Sequence, residues 1–490
     1  MLNNLLNSNT LLKALIVFTA AEVFSLAAYE FNDLNWLLLP IFIILGIWLI
    51  NKSSRWIIYL PLAEIAWGSL GRSFAWDLGG FDLSLRMLIF LLLTFWWLIH
   101  WQQYRKIYSA RNTYLKIWLF AIIMIIYGAV LGTINGYSLT NVFNDANGYY
   151  ALIYFLYWLP IYKSEWLSDI VAIITAAAIV VAVKTIIIFH LFTHNYFFAN
   201  LQYLYIWLRD TRVGELTPLA ENYWRIFFQS HIYVALVWLL GIVNLTITKS
   251  KLFTWPQFII WSVLFSAVLV SLSRSIWLAL FIFLIIWLIV GFRQWWSSDN
   301  KGKKFVLIIA SVFSSVVIIF LVLFIPPNGP INLSNIFTSR INSPNEAAAS
   351  SRMVLLPVML NSIKQHPLIG SGFGKELQFA TKDPRQLAVV SQQGYYQTYA
   401  FEFGWLDAWL KMGFFGLLSL LYLIWTIVKN GLKYWRQEKG DSEIYALLAV
   451  GGIFLTVTHF FTPYLNHPLG LGFVSLAGVI LAQHDTKSYN

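Results

Sequence analysis

The feature that most constrains this chain is a recurrence of apolar runs about 17 to 25 residues long, each able to cross a ~30 Å hydrocarbon core as a helix. Candidate spans lie near 11–29, 34–51, 55–70, 83–101, 115–134, 147–163, 167–192, 228–248, 256–272, 275–292, 305–325, 405–428, 443–462 and 468–483. Glu64 and Gly68 interrupt the third, and SLSRS divides the ninth from the tenth as a hairpin. With 59% hydrophobic and 11% charged residues and a mean hydropathy of +0.67, the chain is no soluble globular domain. The expected fold is all-α: a polytopic helical membrane protein of about 12–14 transmembrane helices, with a long non-cytoplasmic loop containing short helices. The first run lacks a small-residue cleavage site and reads as a retained helix.

Charge sets the expected orientation. The net charge of +11 arises from basic residues at span ends, which points to topology and not to nucleic acid. An inside N-terminus puts Lys52, Arg55, Arg105, Lys106, Arg111, Lys249, Lys251, Arg293, Lys301, Lys303, Lys304, Lys429, Lys433, Arg436 and Lys439 in the cytoplasm. Both termini are then cytoplasmic, in an inner (plasma) membrane. The outer basic residues are mostly arginines: Arg72, Arg86, Arg209, Arg212, Arg225, Arg274, Arg340, Arg352 and Arg385. A guanidinium offers a planar fork suited to phosphate, so this face fits an anionic ligand; pairing with local acids is the plainer use. The chain has no cysteine, which excludes disulfides, thiolate metal sites and a cysteine nucleophile.

The expected organisation is a transmembrane bundle over 1–325, an extracytoplasmic loop over 326–404 and C-terminal transmembrane helices over 405–490. At roughly 80 residues the loop is too long for a mere connector. Within it Ser350 or Ser351 can cap a helix, along which Met353, Leu356, Leu360 and Ile363 recur at helical spacing. His366-Pro367 ends that helix, and the glycines of GSGFG supply a tight turn. That glycine run lacks the context of a nucleotide fingerprint and the GK[ST] of a P-loop. A second outer loop, 193–227, is aromatic with mixed charge.

The residues able to carry chemistry cluster at the outer boundary. Arg274 at the hairpin tip and Arg225 before the eighth span are ionisable groups among apolar neighbours. Arg352 falls in the first turn of the loop helix, where a helix N-terminus favours anions. Glu402 is a carboxylate at the boundary and a candidate general base, with a plain surface carboxylate or an arginine partner as the alternative. Asp407 and Lys411 stand at i, i+4 and read most simply as an intrahelical ion pair. His366 is either catalytic or a stop signal. His459 and His467 do not make a metal site by themselves, and buried Lys184, with His190 and His194, has no assigned role. No Ser-His-Asp, HExxH or DxD pattern occurs, so a transfer reaction here is expected to need neither metal nor cofactor and to use arginines to stabilise a departing phosphate.

Several segments carry a family resemblance: SLSRSIWLAL in a mid-chain hairpin, SSRMVLLPVML leading to HPLIGSGFG in a long outer loop, and WLDAWLKMGFFGLL opening the next span. NYWRIFFQS and DANGYYALIYFLYWLP add to it. In order and spacing they resemble the O-antigen ligase and O-antigen polymerase superfamily of bacterial envelope enzymes. The resemblance implies a glycosyltransferase acting on an undecaprenyl-pyrophosphate-linked glycan, with a glycan or lipid acceptor hydroxyl on the outer face of the membrane. It implies that Arg274 and Arg352, with Arg225, hold the pyrophosphate; His366 and Asp407 are further candidates for substrate binding. Many ligases of the family have a histidine before the GxxG that opens the post-loop span. A gapless count back from Gly413 lands on Glu402, so either Glu402 takes the base role or the chain belongs to a divergent branch. The other reading is a transporter of inorganic carbon or another solute, in which Lys184 and Glu64 belong to a translocation path. A flippase is a third.

Overall fold

The computed structural model describes residues 8–108, 113–196, 200–220, 223–247, 254–286, 301–326, 347–381, 395–437 and 442–489. Arg111, Lys249, Lys251, Arg293, Arg340, Arg385 and Lys439, named above, lie outside them, as does much of the long loop. Two compact units are formed. The first comprises Met1–Ala110, Tyr157–Ile331 and Gly431–Gly451; the second comprises Arg111–Leu156, Asn332–Asn430 and Gly452–Asn490.

In the first unit, helices α1 (Asn9–Glu30), α2 (Asn32–Lys52), α3 (Trp56–Trp67) and α4 (Leu85–Tyr108) are followed, after the unit's break, by α8 (Leu167–His194). Helix α8 is the centre. It packs against α1, α3 and three later helices, and its buried face carries Ala176, Ala177, Ala178 and Ala182, small residues that let backbones approach. Those later helices are α10 (His231–Ile247), α11 (Trp255–Val270) and α13 (Lys301–Phe324), with α12 (Arg274–Ile286) between the last two.

In the second unit run α5 (Thr113–Ile134), α6 (Leu139–Asn147), α14 (Ala347–Gln365), α15 (Gly404–Gln437, its last turns in the first unit) and α17 (Pro468–Tyr489). Helices α7 (Tyr154–Trp158) and α16 (Ser442–Thr458) each contribute to both units. Among the described residues seven helices are long and apolar enough to cross a membrane, and five more are shorter and apolar. The chain is an all-α polytopic membrane protein.

The sixth expected span differs. Residues 147–163 do not form one helix but a 3-10 segment, Gly148–Leu152, then the five-residue α7. Tyr149, Ala151, Leu152, Tyr154 and Phe155 are nonetheless all buried, and Ser475 of α17 donates to the Ala151 carbonyl at 2.8 Å. The run is apolar because protein surrounds it, which composition alone cannot distinguish from lipid.

The two long loops also fold more than their sequences announce. Loop 193–227 holds α9 (Leu201–Asp210) and a hairpin of β3 (Gly214–Ala220) with β4 (Tyr223–Phe228). Two further two-stranded sheets occur: β1 (Ala75–Asp77) with β2 (Asp82–Ser84), and β5 (Leu377–Ala380) with β6 (Tyr395–Thr398).

Candidate functional site

The second unit builds its site on the loop helix α14. The described helix runs Ala347–Gln365, so Ser350 and Ser351 lie inside it and not at its N-cap, and Arg352 falls beyond its first turn. Its buried face is also not the stripe read from the sequence. Leu355, Met359 and Ile363 are buried, whereas Met353 is 74% exposed and Leu360 38%. The helix is apolar on two faces, and the β5–β6 hairpin selects one of them. Leu377 and Phe379 of β5, with Phe401 and Leu410, close over Leu355, Met359 and Ile363. Each such side chain removed from water contributes about 1.5–3 kcal/mol. Ser351 Oγ and Thr381 Oγ1 share a hydrogen bond of 2.9 Å.

This packing brings two of the expected site residues together. The Arg352 guanidinium donates from Nε to Glu402 Oε2, an ion pair at the solvent boundary where β6 leads into α15. Glu402 therefore has the arginine partner that was its alternative use. His366 is exposed, and its backbone closes the turn after α14, its carbonyl accepting from Gly370 N at 2.9 Å.

Below this surface the GSGFG turn interlocks with a break in α15. Gly413 has φ +69° and ψ −172°, a conformation essentially reserved for glycine. The break frees the Leu410 and Lys411 carbonyls, which accept from Ser371 N at 2.7 Å and Gly372 N at 2.9 Å. In return Phe414 N donates to the Pro367 and Leu368 carbonyls, each at 3.1 Å. Gly370, Gly372 and Gly374 all have positive φ, so the run is the turn that the sequence indicates. Within a bilayer a broken helix survives only where its backbone groups find such partners.

Asp407 and Lys411 form the expected i, i+4 pair at 2.6 Å, and both are buried. Lys411 Nζ also reaches Asp145 Oδ1 at 2.5 Å and the Tyr399 carbonyl at 2.9 Å. Asp145 Oδ2 accepts from Gly374 N at 2.9 Å, and Asn466 Nδ2 donates to Asp407 Oδ2 at 2.6 Å. Sequence reasoning missed Asp145 and Asn466, because Asp145 meets Lys411 across 266 residues and Asn466 meets Asp407 across 59, far beyond helical spacing.

Residues 258–421 match a family model described as O-antigen ligase. The similarity is that of this segment, and it supports membership of the O-antigen ligase superfamily. No curated protein matches the chain. The ligase match covers Arg274, Arg352, His366, Glu402, Asp407 and Lys411, while Arg225 and Asp145 lie outside it.

Arg225 and Arg274 belong to the first unit. Arg225 stands on β4, where its Nε donates to the Ser271 carbonyl at 3.0 Å and its guanidinium lies 4.8 Å from the Phe227 ring centre. Glu215 on β3 is 3.8 Å away. Arg274 is exposed at the start of α12, just after the turn that Arg225 holds, so these two arginines share one end of the unit.

Other charges serve packing. Arg86, placed on the outer face from the sequence, is buried with its Nε 2.5 Å from Glu64 Oε2. Lys184 lies 2.5 Å from Glu22 Oε1, which also accepts from Trp67 Nε1 at 2.8 Å. His194 meets the Val322 carbonyl at 2.7 Å, His190 meets the Tyr196 hydroxyl at 3.0 Å, and His459 Nδ1 accepts from Leu465 N at 3.1 Å.

Proposed function

We propose that the chain is a membrane glycosyltransferase that moves or polymerises a glycan from an undecaprenyl-pyrophosphate carrier onto an acceptor hydroxyl at the outer face of the inner membrane. The observation that carries this reading is the Arg352–Glu402 pair inside the ligase-matched segment. A carboxylate and a guanidinium side by side are the two groups such a transfer needs, one to take a proton and one to take charge from the leaving group.

In the proposed step the acceptor hydroxyl gives its proton to Glu402 and its oxygen bonds to the anomeric carbon. The bond from that carbon to the pyrophosphate oxygen breaks, and undecaprenyl pyrophosphate leaves with the electron pair. The pairing gives the step an order. While the pair holds, the Glu402 carboxylate is occupied, and a pyrophosphate that draws the Arg352 guanidinium onto itself leaves it free to meet the acceptor hydroxyl. Arg225 and Arg274 are proposed as further pyrophosphate ligands, His366 and Asp407 as residues of the substrate path, and no metal is required. The charges that a transporter would use, Glu64 and Lys184, each have an ion-pair partner.

The test is Glu402→Gln, which keeps shape and removes the proton acceptor. Turnover should fall by about 10²–10⁴-fold with donor binding little changed. Unchanged turnover would remove Glu402 from the base role.

A further inference from the structure

On the first unit, near the hairpin that carries Arg225, the ends of α1, α2 and α9 and the β1–β2 hairpin converge on a polar cleft of about 220 Å³. Tyr29, Asn35, Arg72, Phe74, Asp82 and Asp210 line it. The chain runs from Thr211 at the cleft directly into β3. Arg225 on β4 holds the Ser271 carbonyl, and the Val213 carbonyl just before β3 accepts from Ser69 Oγ in the segment leading to Arg72.

The lining is charged but balanced. Arg72 Nη2 and Asp82 Oδ2 are 2.8 Å apart, and Asp210 Oδ1 accepts from Arg209 Nε at 3.0 Å. No excess positive charge is left to draw a phosphate. What the cleft does offer is spare hydrogen-bonding capacity of both kinds. Arg72 shares a five-donor guanidinium with a single carboxylate oxygen, and Asn35 donates to the Ala75 carbonyl at 2.9 Å while its amide oxygen has no partner among the described residues. Asp210 Oδ2 accepts from Tyr29 OH at 2.8 Å, leaving that hydroxyl oxygen able to accept. The Tyr29 hydroxyl, and then Arg209, hold the Asp210 carboxyl below its ordinary range, so it remains an acceptor at neutral pH. The rings of Tyr29 and Tyr203 lie 5.7 Å apart beside these groups, and Phe74 supplies an apolar floor.

We propose that this cleft is a binding subsite for one uncharged sugar residue of a glycan. Each sugar hydroxyl both donates and accepts, which matches alternating guanidinium, amide and carboxylate groups around an aromatic wall. The volume is smaller than the roughly 300–1,000 Å³ of drug-sized pockets and suits a single ring. The assignment rests on the glycan-transfer reading only for its biological use; the binding itself stands apart from turnover.

The test uses the full chain in lipid nanodiscs and saturation-transfer NMR, with the methyl glycosides of glucose, galactose, mannose and N-acetylglucosamine as probes. At least one should receive saturation, inorganic pyrophosphate should not displace it, and Arg72→Ala and Asp210→Asn should each weaken apparent affinity about tenfold. Thermal unfolding of each variant identifies any that fails to fold, and Asp82→Asn at the exposed rim then serves as the second probe. Absence of saturation in the wild type, equal signals in the folded variants, or displacement by pyrophosphate would overturn the subsite. Loss of glycan transfer with saturation retained would defeat the transferase reading alone. Transfer with unchanged KM in Asp210→Asn, and no saturation, would defeat the subsite alone.

Discussion

Arg352 and Lys411 show two fates of a cation near a membrane boundary. Arg352 is partly exposed and its pair with Glu402 is open to solvent, so the pair adds little stability and is free to exchange partners. Arg352→Ala should therefore leave expression and thermal midpoint near wild type while lowering transfer by about 10²–10³-fold. Normal transfer would remove Arg352 from the anion site. Lys411 is buried between Asp145 and Asp407, and taking it away strands both carboxylates. Lys411→Met should cost about 3–5 kcal/mol, read as a large drop in the unfolding midpoint of the purified protein. A midpoint equal to wild type would show that the cluster is not structural. The i, i+4 half of this cluster was legible in the sequence because helix periodicity fixes it. The Asp145 half was not, because tertiary folding brings α6 to α15.

At the level of elements, hydropathy located the long helices well, since every apolar run long enough to cross a bilayer demands backbone pairing within itself. It failed at 147–163, where the apolar residues face protein, and on the stripe of α14, where two apolar faces left the choice to the β5–β6 hairpin. The hairpins were missed because their short strands sit in mixed-charge loops without sustained alternation. The GSGFG turn was read correctly, yet its partner, the break at Gly413, is visible only in the fold. Gly413→Ala should be damaging, because a Cβ there meets Gly370 N at 2.7 Å and the backbone conformation disfavours any side chain. The strain alone is about 1–3 kcal/mol. Reduced protease resistance of the loop in membranes is the expected readout, and wild-type resistance would show that the interlock is dispensable.

For the whole molecule, the orientation expected from the positive-inside distribution is easy to check in a cysteine-free chain. A single cysteine at Gln378, on the exposed face of β5, should react with a membrane-impermeant maleimide added outside, and one at Lys106 should not. The reverse pattern would invert the topology and move the Arg352–Glu402 pair to the cytoplasm, where an outer-face acceptor cannot reach it. The central claim concerns transfer itself. It is tested most directly by reconstituting the purified chain with undecaprenyl-pyrophosphate-linked glycan from the same cell, without added metal or nucleotide, and measuring released undecaprenyl pyrophosphate with the glycan product. Release accompanied by a longer or transferred glycan is the predicted result, and product length separates polymerase from ligase. Absence of release, with solute flux across the same vesicles, would contradict the account.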